Sequence, residues 1–209
     1  MNILEALHAS RAETWNIKTA LWQQAFLGPN WWFIAIIIAV SYAIWWKFID
    51  KKRVIEILLF GSFIAVSRVI FDNWGTSTVK WTYVIDLLPI GISLFLNDLT
   101  IVPLAYMLAY QYSPTWKKYL VTIFIIQGIT SFAFLPLLIR MGILSIINWH
   151  VGYSFIFMII TATIMRAILL FGLSIQKSTR LEYTGNTTEF IPQPAMKPFD
   201  KEGEKKKPS

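Results

Sequence analysis

Long apolar blocks separated by short polar stretches dominate this sequence. Each of five blocks is long enough to cross roughly 30 Å of hydrocarbon as a helix. Runs such as FIAIIIAV lack the period-two alternation of a membrane β-barrel, so helices are predicted instead. The predicted fold class is all-α, a polytopic transmembrane bundle of about five helices within 30–175. The predicted spans lie at about 31–49, 54–71, 83–110, 119–139 and 149–175.

Two flanking segments complete the predicted domain organisation. Residues 1–29 place Leu4, Leu7 and Trp15 near helical spacing among charged residues, which favours an amphipathic helix in the extracytoplasmic membrane interface. A polar extension with scattered apolar residues is the alternative. Residues 176–209 are rich in Thr, Pro, Glu and Lys and have little apolar surface to offset the entropy of ordering. We therefore predict a disordered cytoplasmic tail.

Composition supports a membrane protein and excludes several kinds of site. Hydrophobic residues make up 56% of the chain and charged residues 15%, with a mean hydropathy of +0.53, which departs from globular norms. The chain has no cysteine, which excludes disulfides, thiolate metal sites and cysteine nucleophiles. His8 and His150 are the only histidines. We predict no metal site and no cofactor.

The positive charges predict an orientation in the membrane rather than a nucleic-acid partner, although the net charge is +7. Cytoplasmic loops are enriched in Lys and Arg. The richer set of loops carries Lys47, Lys51, Lys52, Arg53, Lys117, Lys118, Lys177 and Arg180, and the poorer set carries Arg11, Lys18, Lys80 and Arg140. We therefore predict a multi-pass protein of the cell membrane with its N-terminus outside and its C-terminus in the cytoplasm.

Two surface features predict partners besides the lipid bilayer. The tail lysines Lys205, Lys206 and Lys207 are expected to contact anionic lipid, at about 1 kcal/mol for each cation near the surface. A solvated tail is the alternative, because glutamates are interspersed. Gly61 and Ala65 lie four residues apart, a spacing that allows close packing of helices. That packing is expected inside the chain, with a membrane protein partner or a homo-oligomer as the alternative.

Charged side chains inside the apolar blocks are the candidate functional residues, because each costs about 2.5 to 3.5 kcal/mol to insert. They are Glu56, Arg68, Asp72, Asp86, Asp98 and Arg166. Arg68 and Asp72 share one helix face near the predicted outer end, and Glu56 lies one turn from Arg53. We interpret Glu56, Arg68 and Asp72 as mostly structural, and therefore as secondary candidates.

Asp98 and Arg166 form the main candidate pair. Each lies well inside its block, and the predicted span directions place both in the inner half of the bilayer. We predict that they pair, since pairing removes the cost of two isolated charges. Asn97 and Asp86 lie in the same block as Asp98 and extend this candidate into a polar pathway. A pair that only orients helices is the alternative.

The third predicted span is the most irregular. As a straight helix it would be roughly 42 Å long, so it must tilt, kink or extend beyond the hydrocarbon. Pro89 and Pro103 each remove a backbone donor, and we predict helix kinks near both. Interrupted helices line binding sites in transporters, although kinked helices without ligands also occur. Both interpretations stay open.

A set of short motifs in this span suggests a family. Its residues are Tyr83, Asp86, Asp98, Pro103, Tyr106 and Tyr110. In a five-span chain opened by a Trp-flanked helix, this set resembles small uncharacterised membrane proteins of spore-forming Gram-positive bacteria, over residues 30–175. The resemblance implies a bacterial cytoplasmic membrane and supplies no activity.

Three functions are compatible with these patterns. A noncatalytic structural or regulatory membrane protein is the first. A small transporter or permease component with a polar path along the third span is the second. A membrane-embedded enzyme ranks third, because the sequence contains no serine elbow, glycine-rich phosphate loop or acid/base pair. We therefore predict no catalytic residue.

Overall fold

The structure, a computed structural model, describes residues 2–89 and 94–184. The chain forms two compact units, of which the first ends at Leu170 and the second begins at Phe171. Helices make up most of the described residues, which confirms the predicted all-α class.

Helices of very different length follow one another along the chain. The α-helices are α1 (Ile3–Ala25), α2 (Pro29–Phe48), α3 (Val54–Ser77), α4 (Val102–Tyr112), α5 (Trp116–Ile129), α6 (Leu135–Arg140) and α7 (Val151–Thr184). Two π-helical segments, here π1 (Leu94–Ile101) and π2 (Thr130–Phe134), lead directly into α4 and α6. Two short strands are β1 (Trp81–Tyr83) and β2 (Leu144–Ile146).

Four helices in the described part of the chain are long and apolar enough to cross a membrane. They are Pro29–Phe48, Val54–Ser77, Trp116–Arg140 and Val151–Ser178. Four of the predicted spans therefore have a matching helix. The remaining prediction, at 83–110, is wrong in its first part, because β1 ends at Tyr83 and residues 84–89 are irregular. Among the described residues, the next helical segment is Leu94–Ile101.

The surface of these helices is apolar along their length. On α2, Ile36, Val40 and Ile44 are each about half exposed. On α3, Val66 and Ile70 are exposed to a similar or greater degree. A soluble protein rarely leaves such continuous apolar surface open. Lipid is the solvent that this surface fits, and a multi-pass membrane protein follows.

The two strands form an antiparallel sheet between segments that are far apart in sequence. Trp81 pairs with Ile146, and Tyr83 pairs with Leu144. The turn into β2 is made by Gly142, whose φ of +70° is the left-handed conformation that ends many helices. The backbone N–H of Ile143 donates to the carbonyl of Leu138 at 2.9 Å, as expected for such a helix end. The sheet therefore joins the end of α3 to the end of α6.

Each π-helical segment ends just before a proline. Pro103 is the second residue of α4, and Pro136 is the second residue of α6. A proline lacks the backbone donor and clashes with the carbonyl four residues earlier, which disturbs the α-helical ladder at that point. For Pro103 that carbonyl belongs to Leu99, and it accepts a hydrogen bond from the Tyr42 hydroxyl of α2 at 2.9 Å. A neighbouring helix thus satisfies this one carbonyl.

The flanking segments correspond only partly to their predictions. The N-terminal segment is helical as α1, which has no buried residue and begins with a capping box between Asn2 and Glu5. Helix α7 continues to Thr184, past the predicted end of the last span at 175. The rest of the predicted tail, including Lys205, Lys206 and Lys207, lies outside the described residues.

Candidate functional site

A buried group of three charged side chains, here the ionic cluster, consists of Arg68, Asp72 and Asp98. Arg68 Nε donates to Asp98 Oδ1 at 2.9 Å, which joins α3 to π1. Arg68 Nη2 lies 3.9 Å from Asp72 Oδ1, one turn further along α3. Both aspartates are 0% exposed and Arg68 is 8% exposed. Such burial makes each missing partner costly, because a stranded charge keeps its full desolvation penalty.

The two-stranded sheet holds the second aspartate in place. Trp81 Nε1 donates to Asp72 Oδ1 at 3.0 Å, and the Tyr83 hydroxyl donates to the same oxygen at 2.9 Å. Alternate residues of a strand point to the same face, so β1 directs both side chains towards α3. Trp81 also packs tightly on α3, where a Cβ added at Gly75 would lie 1.9 Å from its ring. Pairing of the strands therefore positions two donors on one carboxylate.

A small cavity, here the polar cavity, lies beside the ionic cluster and has a volume of about 30 Å³. That space holds roughly one or two water molecules. Its polar lining residues are Arg68, Tyr83, Asn97, Gln127, Thr130, Ser131 and Ser154. Both π-helical segments therefore contribute residues to the lining of the polar cavity. Such π-helical turns are often found at functional sites.

Some polar groups around the polar cavity have partners and others do not. Gln127 accepts a hydrogen bond from Tyr106 at 2.6 Å and donates one to Ser131 at 2.8 Å. Asn97 is 1% exposed and its side chain contacts that of Tyr83, but among the described residues its amide oxygen has no hydrogen-bond partner. Buried polar groups normally have partners, so Asn97 stands out in this wall.

Arg166 lies elsewhere, and the predicted Asp98–Arg166 pair is wrong. Its Nη2 donates to the carbonyls of Ser113 and Pro114 at 2.9 and 3.1 Å, and its guanidinium lies 4.3 Å from the centre of the Tyr119 ring. The error has a geometric cause. Arg166 contacts Ser113 and Pro114, just beyond the end of α4, whereas Asp98 lies before the start of α4.

The remaining predicted residues are not part of the ionic cluster. Glu56 forms an ion pair with Arg53 at 2.6 Å and accepts a hydrogen bond from the Tyr110 hydroxyl. Asp86 lies in the irregular segment 84–89, beside Lys18 of α1. Burial raises the pKa of Asp86 to about 6, and the positive charge of Lys18 opposes that shift.

Two prolines were predicted to kink the third span. Pro89 lies in the irregular segment before π1, so the structure shows no helix there for it to kink. Pro103 lies at the junction of π1 and α4.

Trp81 and Tyr83 are the functional residues that reasoning from the sequence missed as partners of Asp72. Their signal is the short WTY run directly after α3, in which alternate positions are aromatic side chains with a polar tip. No protein family model, curated protein or solved structure matches this chain. The candidate site is therefore defined by its own contacts.

Proposed function

We propose that this chain is a noncatalytic structural or regulatory protein of a bacterial cytoplasmic membrane, in which the ionic cluster orients the helices. The observation that carries the proposal is the Arg68–Asp98 contact at 2.9 Å between two fully packed side chains. Both charges are used in contacts between elements of the fold. The adjoining space of about 30 Å³ is far below the 300 Å³ or more of a typical small-molecule site.

Five crossings of the membrane are part of this proposal. At the start of α2, the Trp31 Nε1 donates to the carbonyl of Leu87 at 3.1 Å. At the other end of α2, Gln111 Nε2 donates to the carbonyl of Phe48 at 2.8 Å. A 20-residue helix is about 30 Å long. The chain between Leu87 and Gln111 therefore runs the length of a spanning helix, which supports a crossing by π1 and α4.

The two-stranded sheet gives independent support for that crossing. β1 follows α3, and β2 follows the spanning helix Trp116–Arg140. Paired strands must lie on the same side of the membrane, so an even number of crossings separates them. One crossing is Trp116–Arg140, and π1 with α4 supplies the other. Termini on opposite sides follow, with the basic loops around Lys52 and Lys117 in the cytoplasm.

Cysteine labelling tests the topology, since the natural chain has no cysteine. Ser77→Cys and Lys117→Cys replace exposed residues on either side of the proposed crossing. In intact cells, a membrane-impermeant maleimide should label Ser77→Cys at once and Lys117→Cys only after the membrane is opened. Equal labelling of both in intact cells would contradict the fifth crossing.

A second labelling experiment tests the structural role itself. Ser131→Cys places a thiol in the wall of the polar cavity, where the natural side chain is 1% exposed. A charged methanethiosulfonate reagent should fail to modify it in native membranes and should modify it after denaturation. Rapid modification of Ser131→Cys in the native membrane would show that the polar cavity is open to water, and would refute the structural role.

A small transporter or permease component is the second candidate function. The buried amide oxygen of Asn97, which has no hydrogen-bond partner among the described residues, favours it, together with the two π-helical segments beside the polar cavity. Under this alternative, Ser131→Cys reacts from one side of the membrane, and its modification rate depends on the transported solute.

A further inference from the structure

We propose that an apolar groove beside the two-stranded sheet, here the aromatic groove, binds one anionic phospholipid by an acyl chain, with the phosphate of that lipid next to Lys80. Such a lipid site goes beyond the proposed function. None of its lining residues belongs to the ionic cluster, and it requires only that the chain lies in a membrane.

The aromatic groove lies between the last turns of α3 and the first turns of α7. Its lining residues, nearly all aromatic, are Ile70, Phe71, Trp74, Trp149, Tyr153 and Phe157. Phe71 is buried and stacks on Phe157, with ring centres 4.1 Å apart. Ile70 and Tyr153 are mostly exposed. The groove is therefore closed at its base and open at the surface of two spanning helices.

The size and the wall of the aromatic groove fit an acyl chain. Its volume is about 400 Å³, within the range of roughly 300 to 1,000 Å³ for small-molecule sites, and its wall is almost wholly apolar. A spanning helix of a partner, about 10 Å across and 30 Å long, would occupy roughly 2,000 Å³. The groove is too small for such a helix. Lipid chains surround spanning helices, so an acyl chain is the apolar occupant that fits.

A positive charge lies at the end of the aromatic groove that is next to the sheet. The carbonyl of Lys80 accepts hydrogen bonds from the backbone N–H groups of Ile147 and Asn148, at 2.9 and 3.1 Å. These contacts bring Lys80 beside Trp149, which lines the groove. A lysine at the surface of a membrane attracts anionic lipid.

The other groups at this end also favour a negative headgroup. The His150 ring lies 5.8 Å from the Tyr153 ring, and the start of α7 directs the positive end of its helix dipole here. The two segments that frame this end, 73–83 and 141–153, contain no Asp or Glu. Asp72, directly before the first segment, is buried and belongs to the ionic cluster. The charge at this end therefore complements a phosphate.

Trp74 and Tyr153 match the boundary between an acyl chain and a headgroup. Both side chains are partly exposed, and each combines an apolar ring with a polar tip. Such residues are enriched where hydrocarbon meets water. The aromatic groove therefore begins in hydrocarbon and ends at the level of headgroups.

Native mass spectrometry of the purified full-length protein tests the proposal. Dioleoyl phosphatidylglycerol and dioleoyl phosphatidylcholine are added in equal amounts to the protein in detergent at about pH 8, and the lipids that stay bound are counted. We expect one retained phosphatidylglycerol per chain, favoured about fivefold over phosphatidylcholine, as one cation near the phosphate implies. Lys80→Gln should bring that ratio close to one.

Ile70→Trp tests the location of the lipid, because the larger side chain fills the aromatic groove. This variant should lose the retained lipid. Leu58→Trp is the matched control, since Leu58 is also an exposed aliphatic residue of α3 and lies roughly 18 Å further along that helix. It should retain the lipid as the natural protein does.

Each other outcome overturns the proposal. A natural protein that retains no lipid, or equal amounts of both lipids, has no site for an anionic phospholipid. Equal retention by the natural protein and Ile70→Trp, or an unchanged ratio in Lys80→Gln, places the lipid elsewhere. A second copy of the chain retained in place of the lipid shows a different occupant. Labelling of Ser131→Cys does not involve the aromatic groove, so the two proposals fail separately.

Discussion

Removal of Arg68 is the most informative perturbation of this fold. Arg68→Met keeps the length of the side chain and deletes the guanidinium, so both Asp72 and Asp98 lose their cation. Loss of one partner from a buried ion pair typically costs about 3 to 5 kcal/mol. At about 2 to 4 °C per kcal/mol for a chain of this size, Tm should fall by roughly 6 to 20 °C.

Removal of Asp98 should cost less, and the difference follows from the distances. In Asp98→Asn the guanidinium keeps Asp72 as a neighbour at 3.9 Å, and the amide oxygen still accepts from Nε at the observed 2.9 Å. We expect a loss of about 1 to 3 kcal/mol. The double variant Arg68→Met with Asp98→Asn should be more stable than Arg68→Met alone, because one stranded carboxylate is gone.

Thermal unfolding in detergent, followed by tryptophan fluorescence, measures all three variants. Abundance in the membrane gives a second readout. Arg53→Met is the control, because the Arg53–Glu56 pair is partly exposed and worth about 1 kcal/mol or less. If the effects of the Arg68 and Asp98 substitutions simply add, the two side chains are not coupled and the reasoning fails.

Two further predictions concern the outer part of the fold. Gly75→Ala should lower the free energy of unfolding by about 1 to 3 kcal/mol, because the new Cβ would lie 1.9 Å from the Trp81 ring. The control is Gly128→Ala, where the nearest neighbour of the new Cβ is 4.0 Å away. It should be neutral or stabilising in the same thermal assay. Asp86 holds its proton more tightly in the folded protein than in the unfolded chain, so stability should fall as pH rises towards its pKa of about 6 and stay lower above it. Asp86→Asn should remove that dependence between about pH 4 and pH 8 and raise Tm at the alkaline end; an unchanged pH profile would contradict the burial of a charged Asp86.

The spanning helices were predictable because their signal is bulk apolarity over twenty residues, which tertiary structure does not override. The charged residues that become buried were predictable for the same reason, since Arg68, Asp72 and Asp98 interrupt apolar blocks. Their partners were not. Partner choice depends on the depth of each residue, and residues 84–89, which were predicted as helix, are irregular, so Asp98 lies closer to the start of its helix than predicted.

The short strands were also invisible from the sequence. Three residues such as WTY carry too little periodicity to distinguish a strand from a turn or a helix end. Their partner, Leu144–Ile146, follows after three α-helices and two π-helical segments, so no local pattern links them. The hydrogen bonds of Trp81 and Tyr83 to Asp72 depend on this long-range pairing. The core of the candidate site therefore rested on information that only the folded chain contains.

The two strands of the sheet are synthesised at different times, so the sheet can form only late in assembly. Tyr83 leaves the ribosome roughly 60 residues before Leu144, a delay of several seconds at about 5 to 20 residues per second. In the proposed topology, the first strand lies at the membrane surface with open backbone groups during that interval, and both π1 with α4 and the helix Trp116–Arg140 must insert before its partner strand is made. Closure of the sheet then requires that both segments have crossed the membrane. A chain in which one of them has not crossed keeps an exposed strand edge.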